Sequence, residues 1–266
     1  QAPIQNRNAL QQDAIFGVAR CNLAETLFKT GNVAGAYPQY VRAADLMPDN
    51  AEAQIKAGTM HLRAAQYQDA HKSAEKALAA EPKNVEAQVL LGTALAGLKK
   101  IDDATAAIEA AIKAEASRSL SYVSLGDVEM AAGKIEAGEK SYLRAVAVDP
   151  TSVRARMALA IFQWRSGRRE KAEAELKEAL SIDPKNVEVN RILASLYLSS
   201  NRAPLAEAPL RTVAEVTRDV RSQLLLADYY RTDLCSAPES GPGPLHLVVA
   251  GRSHAHEEAD RRRAAS

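Results

Sequence analysis

Residues 85–118, VEAQVLLGTALAGLKKIDDATAAIEAAIKAEASR, and residues 119–152, SLSYVSLGDVEMAAGKIEAGEKSYLRAVAVDPTS, are two copies of one 34-residue pattern. Leu91-Gly92 lies over Leu125-Gly126, Ala104 over Gly138, Ile108 over Tyr142 and Ala111 over Ala145. A fixed period of this length marks a stack of similar units, because one unit alone cannot bury its apolar face.

The same register extends in both directions. Pro48, Pro82, Pro150 and Pro184 are separated by 34, 68 and 34 residues, and Ala116 holds the place of the missing member. Ala36, Ala70, Ala104 and Ala172 form one column, and Ala43, Ala77, Ala111, Ala145 and Ala179 another. Leu23, Leu91, Leu125, Leu159 and Leu193 are each followed by Ala or Gly. Six blocks result: 17–50, 51–84, 85–118, 119–152, 153–186 and 187–219, the last one residue short.

Each block reads as two helices. Asn50, Asn84, Ser152 and Asn186 precede the first helix, where a side-chain oxygen caps free N–H groups. Glu52, Glu86 and Glu188 follow, favoured near the positive helix end. Gly31, Gly133 and Gly167 stand mid-block, where a left-handed residue ends the first helix. Proline closes the second helix. The fold class is therefore all-α, a solenoid of antiparallel helix pairs.

Leu91-Gly92, Ala104, Ile108 and Ala111, with Leu125-Gly126, Tyr142, Ala145 and Pro150, resemble the tetratricopeptide repeat (TPR) family over roughly residues 2–231. The departure is an early position that the family fills with a large residue and that here holds Arg20, Gln54, Gln88, Tyr122, Arg156 and Asn190. Block six also lacks its closing Pro and has Arg218 nearby. The resemblance implies a right-handed superhelix.

The ends fit the register less fully. Ala2, Ala9 and Asp13 match the second helix of a preceding repeat, so residues 1–16 are expected to be the remnant of one, with the true N-terminus missing. Leu226-Ala227-Asp228-Tyr229-Tyr230 matches Leu193-Ala194-Ser195-Leu196-Tyr197, so 220–231 reads as the first helix of an incomplete seventh repeat. Residues 232–266 lack Lys, Ile, Asn, Gln and Phe and contain Pro238, Pro242 and Pro244. They read as a non-repeat, disordered tail, either native or an out-of-frame or fusion segment.

Composition excludes several function classes. Lys+Arg 34 against Asp+Glu 33 leaves a net charge of +1, which gives no electrostatic case for nucleic acid. No apolar run reaches the ~20 residues of a membrane span. Cys21 and Cys235 form neither a disulfide framework nor a zinc motif. Phosphate loops, dinucleotide fingerprints, nucleophile elbows and zinc-helix motifs are all missing. His61 and His71 read as surface or filler residues, and His254-Ala255-His256-Glu257-Glu258 and Arg261-Arg262-Arg263 as solvated polar tracts. No enzyme activity, cofactor or metal site is expected.

The resemblance places the ligand face on the first helix of each repeat. Its groove-facing positions here include Phe28, Ile55, Leu62, Arg63, Val123, Met130, Met157, Ile161, Trp164, Arg165, Arg191 and Leu198. Apolar residues with scattered cations suit a protein or peptide partner. Trp164, with Met157, Ile161 and Arg165 on the same helix, is the expected centre. The family's Lys–Asn carboxylate clamp is incomplete, since its positions hold Cys21 and Glu25. The expected function is a protein-interaction scaffold; the alternative is a regulatory or substrate-docking arm of a larger enzyme. Residues 32–50 resemble bacterial repeat proteins of the envelope or export machinery, which makes such a complex one candidate partner and leaves cytoplasmic and envelope-associated locations both open.

Overall fold

The computed structural model describes residues 17–236, with side chains through Arg231. The expected half-repeat at 1–16, the Arg261-Arg262-Arg263 run and the histidine tract at 254–258 lie outside the described residues. The chain divides into two compact units, Gln1–Ile182 and Asp183–Ser266.

In the first unit, the described residues form five helix hairpins. These are α1 (Gly17–Lys29) with α2 (Val33–Leu46), α3 (Ala51–Arg63) with α4 (Tyr67–Ala80), and α5 (Val85–Gly97) with α6 (Ile101–Ala114). The remaining two are α7 (Ser119–Ala131) with α8 (Ile135–Val148), and α9 (Val153–Arg165) with α10 (Arg169–Ile182). The second unit holds α11 (Val187–Ser199), a 3-10 turn (Ala203–Ala206) leading into α12 (Glu207–Thr217), and α13 (Val220–Ser236). Every described element is helical, and the architecture is an all-α repeat fold.

Helix starts follow the capping chemistry. Asn50 accepts from the Ala53 N–H at 2.8 Å, Asn84 from Ala87 at 3.0 Å, Ser152 from Ala155 at 3.3 Å and Asn186 from Val189 at 3.1 Å. Asp219 serves α13 in the same way, accepting from the Ser222 N–H at 2.7 Å. Before α7 the position is Arg118, whose side chain makes no cap and donates instead to Glu86.

Helix ends show a rule that glycine only half reveals. Gly31, Ala65, Lys99, Gly133, Gly167 and Asn201 all have positive φ, between 56° and 80°. They recur every 34 residues. The hairpin turn thus requires the left-handed conformation in every repeat, although only three of the six positions are Gly.

Small residues set the distance between paired helices. Ala36, Ala70, Ala104 and Ala172 are fully buried, as are Ala43, Ala77, Ala111, Ala145 and Ala179. A Cβ added at Gly126 would lie 2.7 Å from the Tyr142 ring, and one at Gly92 would meet Ile108 and, at 2.9 Å, the Ala104 carbonyl oxygen. Larger side chains then fill the space between hairpins, as Val123, Tyr142, Leu159 and Phe162 do around α7, α8 and α9.

The polar column that departs from the family pattern also has a physical cause. Gln54 is buried and donates to the Ala44 carbonyl at 2.8 Å and to the Pro48 carbonyl at 3.3 Å. Arg156 donates to the Pro150 carbonyl at 2.8 Å, and Asn190 to the Pro184 carbonyl at 3.1 Å. These side chains satisfy carbonyls left open where the preceding helix ends. A large apolar residue there would fill the volume and leave the carbonyls without donors.

The C-terminal boundary differs from the sequence expectation. Helix α13 continues to Ser236 instead of stopping at 231. Residues 232–236 contain neither Pro nor Gly, so nothing breaks the helix before Pro238. Block six is one residue short because Arg218, left-handed at φ 54°, closes α12 and only residues 218–219 separate it from α13.

Candidate partner-binding groove

Within the first unit, first helices contact one another from α3 to α5, α5 to α7 and α7 to α9. This row presents one face that the second helices do not cover. Two hollows open on it. One, of about 300 Å³, lies over α3, α5 and α7, with Ile55, Leu62, Val89 and Leu120 among its walls. The other, of about 500 Å³, lies between α7 and α9, with Met130, Met157 and Ile161 in its apolar lining. Asp127 and Arg154 line both, so the hollows adjoin.

The residues expected in the groove separate into groups. Ile55 and Leu62 line the first hollow; Val123, Met130, Met157, Ile161 and Arg165 line the second. Val123 is only 4% exposed and packs with Tyr142, Leu159 and Phe162, so it supports the floor and offers little surface to a ligand. Phe28 and Arg63 lie elsewhere on the row, with the Arg63 guanidinium 5.2 Å from the Phe28 ring centre. Trp164 is half-buried and lines neither hollow. The inward face of α9 runs instead through Arg154, Met157, Ala158, Ile161 and Arg165, the 3–4 residue spacing of one helical stripe. Arg191 and Leu198 belong to the second unit, where Arg191 donates to the Ser222 hydroxyl at 3.2 Å and Leu198 is 45% exposed.

Arg154 and Asp127 are the groove residues that sequence reasoning misses. Arg154 occupies the second position of its helix, in the column of Glu86 and Leu120, both of which also line the first hollow. That alignment was the available signal. Asp127 had none, since one acidic residue on a helix is ordinarily a solvated one. The Tyr142 hydroxyl donates to Asp127 Oδ1 at 2.7 Å. Asp127 keeps much surface open to the groove, yet the surrounding walls desolvate its carboxyl. That burial pushes its pKa up, against the Tyr142 hydroxyl and the nearby Arg154 and Arg165. Burial and the Asp127 carboxylate push the Tyr142 hydroxyl up in turn.

At the α1–α3 end the charges are mutually engaged. Glu25 pairs with Lys56 at 3.1 Å and Lys29 at 3.2 Å, and Lys56 also meets Glu52 at 2.8 Å. The two lysines hold the Glu25 carboxyl below its usual range. Burial pulls Lys56 down, but Glu52 and Glu25 outweigh it and hold the ammonium above its usual range. A lysine clamp for a carboxylate would have to break these pairs. Cys21 is a free thiol that burial pushes up in pKa, with Lys56 opposing. Among the described residues no three metal-ligating side chains converge, and no helix is long and apolar enough to cross a membrane.

Family models described as tetratricopeptide repeat match residues 55–119 and 123–187, and, in a second model, 170–229. Among solved structures, a thermophilic TPR protein of Thermus thermophilus, TTC0263, is 21% identical, with a TM-score of 0.62 over 68% of this chain and 99% of that one. The Cut9-Hcn1 hetero-tetramer of the APC/C is 13% identical, with a TM-score of 0.56 over 86% of this chain and 45% of that one. At these identities both likenesses concern the fold. No curated protein matches the chain.

Proposed function

Because the chain belongs to the tetratricopeptide repeat family, we propose that it is a protein-interaction scaffold whose partner, a peptide or an exposed protein segment, lies along the first-helix face of α3, α5, α7 and α9. One observation carries this: the two adjoining hollows join half-buried apolar side chains on four consecutive first helices into one strip. Such a strip, rimmed by charges, has the make-up of an interface core. Its walls belong to packed helices, so binding costs little reorganisation.

Selection of peptides from a random library on the full chain, followed by amide exchange of the bound complex, tests the reading. Binding is expected to protect the backbone around α7 and α9 and to fall at least tenfold in Ile161→Asp. Leu143→Asp, on the exposed side of α8, should leave it within twofold; Leu143 is 47% exposed. Circular dichroism checks that both variants fold. Peptides sensitive to Leu143→Asp and indifferent to Ile161→Asp would place the partner on the outer helices and sink the proposal.

A further inference from the structure

The hollow between α7 and α9 has a charge layout that specifies more than an apolar anchor. Arg154 and Arg165 line it from opposite ends of α9. Eleven residues apart on one helix, their Cα atoms are separated by ~16 Å. Met157 and Ile161 lie between them, with Met130 across the hollow on α7. Asp127 lines the same hollow, feels the positive charge of both guanidiniums, and is tied at one oxygen to the Tyr142 hydroxyl. Three arginines of this unit are already committed to carboxylates: Arg156 pairs with Glu175 at 2.9 Å, and Arg118 and Arg168 pair with Glu86 and Glu139. Arg154 and Arg165 make no such pair among the described residues. Their charges face the groove.

Resting on the groove reading above, we infer that this hollow selects an extended acidic segment of the form acid–x–apolar–x–acid. In an extended chain, side chains at i, i+2 and i+4 point to the same side, and four steps span ~13 Å. That length is within reach of two long, flexible side chains whose Cα atoms are ~16 Å apart. The outer carboxylates meet Arg154 and Arg165 in charge-assisted hydrogen bonds. The central apolar side chain seats on Met130, Met157 and Ile161. Asp127 sets the middle of the pattern by repulsion, because an acid at the central position would face its carboxylate. A helical ligand would need acids ten or eleven residues apart to span the same arginines, a spacing that a five-residue acid–x–apolar–x–acid core does not contain.

The probe is a dye-labelled, N-acetylated and C-amidated peptide with the core Glu-Ala-Leu-Ala-Glu between Gly-Ser flanks, titrated against the full chain by anisotropy. It should bind at least tenfold tighter than the same peptide with Gln for both Glu, and tighter than one with Glu at the centre. Arg154→Gln and Arg165→Gln should each reduce the Glu-over-Gln preference to below threefold, and Arg165→Lys should restore part of it. Circular dichroism of each variant separates lost binding from lost fold. Equal binding of the Glu and Gln peptides, or tighter binding of a Lys-Ala-Leu-Ala-Lys peptide, overturns the inference. If library-selected peptides still require Ile161 yet show no preference for acids, the groove proposal stands and this one falls. If no peptide depends on Ile161, both fall.

Discussion

Lys99 illustrates how a repeat imposes a conformation that its local sequence does not favour. Its φ of 65° places it where Gly31, Gly133 and Gly167 stand in other repeats. The left-handed region costs a residue with a Cβ about 1–2 kcal/mol, while glycine gives back part of that through its freer unfolded chain. Lys99→Gly is therefore expected to stabilise the protein by ~0.5 kcal/mol. Gly133→Ala should destabilise it by ~1 kcal/mol through the backbone alone, since a Cβ there would meet nothing within 4 Å. Urea midpoints of both variants check the pair; equal shifts in one direction would contradict the turn geometry. Two carboxyls give a second residue-scale expectation, with opposite signs. Glu25 has a lowered pKa, caused first by Lys56 and then by Lys29. Its contribution is present above the unfolded carboxyl pKa of about 4.3 and is lost as pH falls through the folded value. Asp127 has a raised pKa, caused first by burial. Its contribution is full below the unfolded value of about 3.9 and declines as pH rises through the folded one. Stability measured from about pH 3 to pH 7 should lose its acid-side slope partly in Glu25→Gln. In Asp127→Asn the decline on the neutral side should flatten, while the amide oxygen still accepts from Tyr142.

At the scale of the element, the alanine columns did most to make the fold legible in the sequence. An Ala or Gly recurring every 34 residues states that two helices touch there, and Ala104, fully buried against the α5 backbone near Gly92, is such a contact. Ala104→Leu is expected to overpack it and cost ~1–3 kcal/mol. Glu109→Ala on the exposed side of α6 should cost under ~0.5 kcal/mol. A denaturant melt that did not separate the two would refute the packing register of this hairpin. The polar column was harder to interpret. Gln54, Arg156 and Asn190 occupy a position where the family pattern asks for bulk, and the partners they satisfy are carbonyls four to ten residues earlier in the chain. A periodic pattern records that a position is polar. It does not record which acceptor across the turn needs it.

Across the whole molecule, the groove was legible as a face but not as a site. The family resemblance assigned Ile55, Leu62, Met157 and Ile161 to the expected ligand side, and they line the hollows. It could not tell that Trp164 turns out of the α9 stripe that Arg154 and Arg165 share, because one residue of helix is 100° of rotation and repeat register alone does not resolve that. Nor could it tell which charges are spent on one another. Ion pairing sorts them: Lys29 and Lys56 are held by Glu25, whereas Arg154 and Arg165 face the groove. This sorting leads to a salt experiment with two readouts. The chain carries 34 basic and 33 acidic side chains, for a net charge of +1, so little self-repulsion is there to be screened. Several ion pairs among the described residues are exposed and join residues three or four apart on one helix, such as Lys72–Asp69 and Arg231–Asp228, and pairs of that kind contribute ~0.3–0.5 kcal/mol each at most. Raising NaCl from about 0.05 to 0.5 M shortens the Debye length from roughly 14 to 4 Å, yet the folding free energy should move by less than ~1 kcal/mol. Over the same range the acidic peptide should lose at least fivefold in affinity, since two unpaired guanidiniums are screened in the free protein and its carboxylates in the free ligand. The Gln peptide should change by less than twofold. A parallel fall of stability and of Glu-peptide binding would assign the salt effect to the fold and remove the two arginines from the recognition of acids.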